Sequence, residues 1–336
     1  MSDNSPYPAG HQHGGRVRAV AHEYRIAARH WLDLSTGINP QGWPVPAIPV
    51  EVWQRLPEDE DGLYMAMVAS FGTTAVLPVA GTQAAIQLLP RLRPACRVGV
   101  VSPTYAEHVH AWLAAGHKVR EIALADVETA LDEVDVLVVV NPNNPTGDLM
   151  APERLFDWNK RLAARDGWLV VDEAFIEATP ASSIAGAVPR AGLIVLRSLG
   201  KFWGLAGLRM GFVLAEQSLL DALRVELGPW HVSHPARWIA QRALVDLPWR
   251  EATVQRLQRD SARLTALLDK HGWHTPTGCA LFRWVPTVHA ASLYDALAKQ
   301  AVLVRGFGEG VRFGLPGSEA AWIKLDKALE QAGSLS

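Results

Sequence analysis

Two cysteines among 336 residues, Cys96 and Cys279, are too few for a disulfide framework or a four-cysteine zinc site. Charge of one sign is also lacking: 32 Lys and Arg against 34 Asp and Glu leave a formal balance of −2. That balance gives no electrostatic footprint for nucleic acid, and no polybasic segment marks a membrane surface. No apolar run reaches the length of a bilayer span. The opening residues, Met1-Ser-Asp-Asn-Ser-Pro-Tyr-Pro8, have neither the basic nor the apolar segment of a secretory signal. There is no Gly-x-Ser-x-Gly elbow for a serine hydrolase. Gly306-Phe-Gly308-Glu-Gly310 has the wrong spacing for a dinucleotide loop, and Gly200-Lys201-Phe202 lacks the upstream glycine and the hydroxyl of a P-loop. His11 and His13, like His108 and His110, stand two apart and so share no helical face; they read as solvated or packed histidines, not metal ligands. What is present, 49% hydrophobic and 20% charged residues, suits a globule with a real core. A soluble cytoplasmic enzyme is the expectation.

Residues 1–40 are rich in Gly, Pro and His and read as an arm with one short helix around 17–29. A proline-dense stretch over 44–49 breaks up any helix there. Apolar, β-branched runs at 97–102, 134–140, 168–172 and 193–197 then alternate with helical patterns near 83–92, 105–115 and 152–164. Near-continuous apolar strands with helical crossovers predict a parallel sheet covered on both faces, with ligands outside the carboxyl ends of its strands. From about 217 the pattern is mostly helical, with an amphipathic stretch over 251–271, short strands from about 280 and a closing helix over 318–331. The expected fold is α/β. A large domain over 41–220 has a mostly parallel sheet sandwiched by helices, and a smaller α+β domain spans 221–336 and is joined by the arm of 1–40.

Five segments carry chemistry. Gly81-Thr82-Gln83 precedes a helical pattern, where free backbone N–H groups could hold an anion or simply start a helix. The run 141–147, NPNNPTG, is either a plain turn or a set of side chains at a strand's carboxyl end, aimed into the ligand crevice. Asp172 follows four apolar residues, so its carboxylate needs a partner: a neighbouring arginine or the protonated ring nitrogen of a cofactor. Lys201, in Ser198-Leu-Gly-Lys201, is a solvated loop lysine or a Schiff-base lysine. Arg209, between small and apolar neighbours, suits a phosphate. One cofactor uses all of them together: pyridoxal 5′-phosphate. Its aldehyde takes Lys201, its ring nitrogen Asp172 and its phenolic oxygen Asn144. Its phosphate takes Gly81, Thr82, Gln83, Ser198 and Arg209, and its ring face takes Tyr105, which is read as beginning a helix at a strand's end.

The ordered set GTQ, PTY, NPNNPTG, VVDEAF and SLGKFWGLAGLRMG resembles the fold-type I pyridoxal phosphate enzymes of the aspartate aminotransferase superfamily. It is most similar to the compact branch of histidinol-phosphate aminotransferases and threonine-phosphate decarboxylases of cobalamin biosynthesis. Three features lean to the decarboxylases: His13-Gly14-Gly15 with the segment 32–40 (LDLSTGINP), Phe175 where aminotransferases have tyrosine, and the tract 196–203 (LRSLGKFW). The resemblance implies that Lys201 and Asp172 are catalytic, and that a phosphorylated amino acid is bound by His13, Gly14, Asn144, Arg305 and Arg312. Surface arginines on short strands are the alternative for the last two, but Val304, Phe307 and Phe313 suggest enclosure. It further implies decarboxylation of L-threonine O-3-phosphate, with transamination of histidinol phosphate or a related amino acid as the alternative. A homodimer is implied, with no nucleic-acid or membrane partner. A non-catalytic regulatory module is the distant alternative; the segment before His13 leaves no room for its DNA-binding domain, and the lysine–aspartate–arginine set is complete. Three departures stand out: Gly37 replaces an asparagine, Leu56 a tyrosine that reaches the neighbouring subunit's cofactor, and Thr82-Gln83 an acidic pair.

Overall fold

The computed structural model describes residues 13–274 and 276–333. Its strands, in chain order, are β1 (Leu32–Asp33), β2 (Val76–Val79), β3 (Arg97–Ser102), β4 (Lys118–Ala123), β5 (Val136–Val140), β6 (Trp168–Asp172) and β7 (Leu193–Ser198). They continue as β8 (Gly211–Leu214), β9 (Thr277–Cys279), β10 (Phe282–Pro286), β11 (Val302–Leu303), β12 (Arg305–Phe307) and β13 (Gly310–Gly314). The chain divides into two compact units, one of residues 42–144 and 148–253, the other of the described residues up to 41, 145–147 and from 254 onward.

The larger unit is built on a sheet ordered β2-β8-β7-β6-β5-β3-β4. Strands β4, β3, β5, β6 and β7 run parallel, while β8 is antiparallel to both its neighbours. The central strands are covered on both faces, which is why VLVVV of β5 is buried at every position. Helices Thr82–Leu88, Glu107–Ala114 and Pro152–Ala163 pack on these strands. The edge strands obey different rules. Pro78 is tolerated in β2 because that strand pairs on one side only, and β4 (KVREIA) keeps polar residues because much of it meets solvent. Close packing leaves no room for a side chain at Gly99, where a Cβ would come within 2.5 Å of Ile122 Cδ1.

The smaller unit holds an antiparallel sheet ordered β12-β13-β10-β9, with β1 of the arm pairing in parallel with β11. Helices Ala290–Lys299 and Glu319–Ala332 pack on each other and bury Leu293, Leu297, Trp322, Leu325 and Leu329, spaced three or four apart on one face. The described residues of the arm group with this unit. The other boundary needs correction. Helices Gln217–Leu227 and His234–Leu244 belong to the larger unit: the first packs on β2 and the second on helix Leu63–Phe71. The division therefore falls after 253, not at 220, because amphipathicity alone does not say which core a helix covers.

Candidate active site

Strand register brings the motif segments to one edge of the large sheet. Parallel β3, β5, β6 and β7 end at Ser102, Val140, Asp172 and Ser198, so the residues that follow them emerge together. Gly211 pairs with Ser198 on one side and with Val79 on the other, which carries Gly81 to the same edge. Residues from Gly81 to Gly211 thus meet by topology alone, as expected for a crevice at strand carboxyl ends.

Gly81 caps helix Thr82–Leu88 with φ +75°, a left-handed conformation that glycine adopts without strain. A Cβ there would lie 2.7 Å from Arg209 Nη2, and a Cβ on Gly211 would lie 2.6 Å from the Thr82 nitrogen. Backbone amides and a guanidinium are therefore crowded around a space that only glycines leave open. Arg209, itself at φ +53°, donates through Nη1 to the Ala206 carbonyl (3.1 Å), which fixes its fork. The Gln83 side chain is occupied: it accepts from the Tyr105 hydroxyl and donates to Glu107, each at 3.1 Å. Ser198 Oγ accepts from the Gly200 N–H at 3.0 Å and shapes the turn that leads to Lys201.

Asp172 is buried at the end of β6. One carboxylate oxygen accepts from the Ala174 N–H at 3.0 Å and the other meets His108 Nε2 at 3.1 Å. Neither of the two partners weighed from sequence is this one, and His108 was not among the candidate site residues. The signal was the spacing: three residues after Tyr105, His108 shares its side of the turn, and the two rings meet edge to face at 6.1 Å. Tyr105 itself precedes helix Glu107–Ala114 and does not begin it; its carbonyl accepts from the His108 N–H. Lys201 is half-buried, with Nζ 5.3 Å from the centre of the Phe175 ring. Asn144 is half-buried, while its neighbour Asn143 is held between the Pro103 carbonyl and the Thr104 hydroxyl.

At this edge lies a charge cluster that no sequence pattern marks. Arg197, one residue before Ser198, reaches Glu173 (3.3 Å), Glu177 and the Ser183 hydroxyl (3.1 Å), and Arg250 completes the set at 2.9 Å from Glu177. Burial alone would raise the Glu177 carboxyl, but Arg197 and Arg250 hold it below its ordinary value. Glu173, next to Asp172 in sequence, is pushed up by burial despite Arg197. The cluster fastens the ends of β6 and β7, which carry the acid and the lysine.

In the smaller unit, Arg305 and Arg312 stand directly opposite across β12 and β13. Arg312 is buried, which corrects the surface reading for it; Arg305 is half-buried over Phe307. Burial, then the neighbouring Arg305 charge, lowers the Arg312 guanidinium to about 10. Arg312 donates to the Ser35 carbonyl, and Ser35 Oγ accepts from the Gly15 N–H at 2.8 Å. Gly14 packs so tightly on this segment that a Cβ would lie 2.5 Å from the Ser35 oxygen. His13 and Gly14 line a pocket with Ser35, Val304 and Arg305. The two departures in this region and near 56 are also placed: Gly37 adopts φ +62°, which asparagine also tolerates, and Leu56 is exposed.

The donor set of the larger unit fits a phosphorylated pyridine: an anion cradle that glycines keep open, a buried carboxylate and a lysine over an apolar ring. The profile of the aminotransferase class I and II family matches residues 64–323. A threonine-phosphate decarboxylase of Pseudomonas aeruginosa is 53% identical over 95% of this chain and 97% of its own. A second, from a Sinorhizobium species, is 43% identical over 96% of this chain and 94% of its own. Among solved structures, histidinol-phosphate aminotransferase of Sinorhizobium meliloti, in complex with pyridoxal 5′-phosphate, shares the fold with a TM-score of 0.81 at 19% identity, covering 94% of this chain and 93% of its own. On sequence and fold alike, the chain belongs to the aminotransferase class I and II family.

Proposed function

We propose that the protein is a pyridoxal 5′-phosphate-dependent decarboxylase that converts L-threonine O-3-phosphate to (R)-1-amino-2-propanol O-2-phosphate, a building block for cobalamin synthesis. The observation that carries this reading is the near full-length similarity to threonine-phosphate decarboxylases. Phe175 supports it, because a phenyl ring stands where aminotransferases have a tyrosine.

Bound pyridoxal phosphate supplies an electron sink for the pair of electrons left when a bond to the substrate's α-carbon breaks. The chain supplies the rest. Gly81, Thr82, Gln83, Ser198 and Arg209 would hold the cofactor's phosphate, Asn144 its phenolic oxygen and Tyr105 its ring face. Asp172, steadied by His108 and the Ala174 N–H, keeps a proton on the ring nitrogen and so favours the charge distribution of the transition state. Lys201 would hold the cofactor through its amine, and that amine could carry a proton for the substrate's α-carbon. Arg305 and Arg312, with His13 and Gly14, hold the substrate's phosphate and carboxylate. Fixing both anions would orient the substrate's α-carbon, and that orientation would decide whether its carboxylate or its hydrogen is the group to leave.

The same reading makes the protein a cytoplasmic homodimer. Trp53, Leu56 and Met65 expose large apolar side chains on the larger unit, an arrangement suited to a second copy. The test is incubation of the purified protein with L-threonine O-3-phosphate. The expected result is carbon dioxide and phosphorylated amino alcohol in equal amounts without any oxo acid. Oxo acid formed only with 2-oxoglutarate would establish the aminotransferase instead.

A further inference from the structure

Tyr105, the ring proposed above to cover the cofactor, is held at its tip and on its flank by other side chains of the larger unit. It lies in the loop after β3, just before helix Glu107–Ala114, and is half-buried. The torsion that sets the plane of an aromatic ring is broad and roughly two-fold, so the rotamer alone leaves that plane loose. Contacts fix it. At the tip, the Tyr105 hydroxyl donates to Gln83 Oε1 at 3.1 Å, and Gln83 Nε2 donates to Glu107 Oε2 at 3.1 Å. On the flank, His108 meets the ring edge to face with centroids 6.1 Å apart, and His108 is itself bonded to Asp172.

The direction of these bonds follows from the groups that make them. A carboxylate only accepts, so Gln83 turns its NH₂ to Glu107 and its carbonyl oxygen to Tyr105. The phenol is then the donor, and its one hydrogen points to Gln83. An amide at 83 supplies both the donor and the acceptor that the link needs; a glutamate there would set two carboxylates against each other. The link also joins two elements. Gln83 stands in helix Thr82–Leu88 and Glu107 opens helix Glu107–Ala114, and these helices pack together. Glu107 is half-buried, so the bond to its carboxylate is partly shielded from water and stronger than one between neutral groups.

We propose that Glu107, acting through the Gln83 amide, is a positioning residue that fixes the plane of the Tyr105 ring against the ring of the cofactor. This rests on the placement of Tyr105 over the cofactor proposed above. The Tyr105 hydroxyl is a tether in this arrangement; it gives no proton to cofactor or substrate.

The experiment compares the wild-type holoenzyme with Y105A, Y105F, Q83L, E107L, E107Q and the double variant Y105F/Q83L. It reads the visible circular dichroism of the bound cofactor, the rate at which dialysis removes it, the melting temperature and kcat on L-threonine O-3-phosphate. Y105F and E107Q nearly keep the wild-type shape and are expected to fold. Y105F, Q83L and E107L are each expected to release cofactor about three- to tenfold faster, as for loss of one hydrogen bond, and to weaken the dichroism. The double variant is expected to match the more severe single one, because either change cuts the same link. E107Q keeps a carbonyl oxygen for the Gln83 NH₂ and is expected to regain most of what E107L loses. If Y105A releases cofactor at the wild-type rate with unchanged dichroism, Tyr105 does not cover the cofactor and that placement fails together with the inference. If Y105A releases it faster while Y105F, Q83L and E107L behave as wild type, the placement stands and the inference is overturned. A lower melting temperature in E107L with unchanged dichroism and release overturns it as well, since Glu107 then serves stability alone. Additive effects in the double variant, or a loss of kcat in Y105F far beyond that in Q83L, would show the hydroxyl acting directly on cofactor or substrate and would overturn it too.

Discussion

Asp172 illustrates how much a single buried residue depends on its partners. A carboxylate in an apolar strand end needs hydrogen-bond partners, and here a backbone N–H and an imidazole meet its two oxygens. Asp172→Asn is expected to lower kcat by about 10²-fold or more, since an amide cannot hold the ring-nitrogen proton. His108→Leu leaves the carboxylate but removes one partner. A hydrogen bond to a charged group is worth about 1.5–3 kcal/mol, so kcat is expected to fall about tenfold to a hundredfold, with weaker cofactor binding. Spectrophotometric cofactor titration beside steady-state kinetics checks both. Wild-type kinetics in His108→Leu would leave the imidazole a packing residue. The acid and the lysine were legible in sequence because each follows an apolar strand within a few residues. His108 was not, because its partner lies 64 residues away and only the sheet brings them together.

At the scale of elements, the turn at Gly81 is the most exacting. Gly81→Ala must adopt φ +75° with a Cβ 2.7 Å from Arg209 Nη2, so either the turn or the guanidinium shifts. Backbone at φ +75°, ψ 154° costs an alanine about 1–3 kcal/mol, and cofactor affinity is expected to drop about tenfold with the fold preserved. An unchanged affinity would remove the phosphate cradle from this turn. Strand register offers a second prediction. The start of β3 is clamped to the loop before β5 by Arg97 and Asp135, whose carboxyl is held at about 2 by the hydrogen bonds from Arg97. A carboxyl depressed in the folded state stabilises above its unfolded value and loses that contribution as pH falls toward about 2. Asp135→Asn is therefore expected to lower the melting temperature at pH 6, with the difference from wild type shrinking below about pH 4; a constant difference would contradict it. The parallel strands β3, β5, β6 and β7 were readable from their apolar runs. Strands β2, β4 and β8 were not: a proline, a polar alternation and a length of four residues each hide an element whose pairing is decided by neighbours.

For the whole molecule, the sheet order explains why residues as far apart as Gly81 and Arg209 form one candidate site, an arrangement that the order of motifs along the chain already implied. What composition and periodicity did not give was the division into units, because the helices between 217 and 244 are amphipathic without naming their core. The proposed homodimer is tested by sedimentation: a species of twice the 36.6 kDa chain mass is expected, and Trp53→Glu with Leu56→Glu should reduce it to monomer. A wild-type monomer would contradict that proposal. The account as a whole depends on one covalent attachment, and borohydride reduction of the cofactor-loaded protein followed by peptide mass spectrometry tests it most directly. A single pyridoxyl-phosphate adduct on Lys201 is the predicted result; no adduct, or one on another lysine, would contradict it.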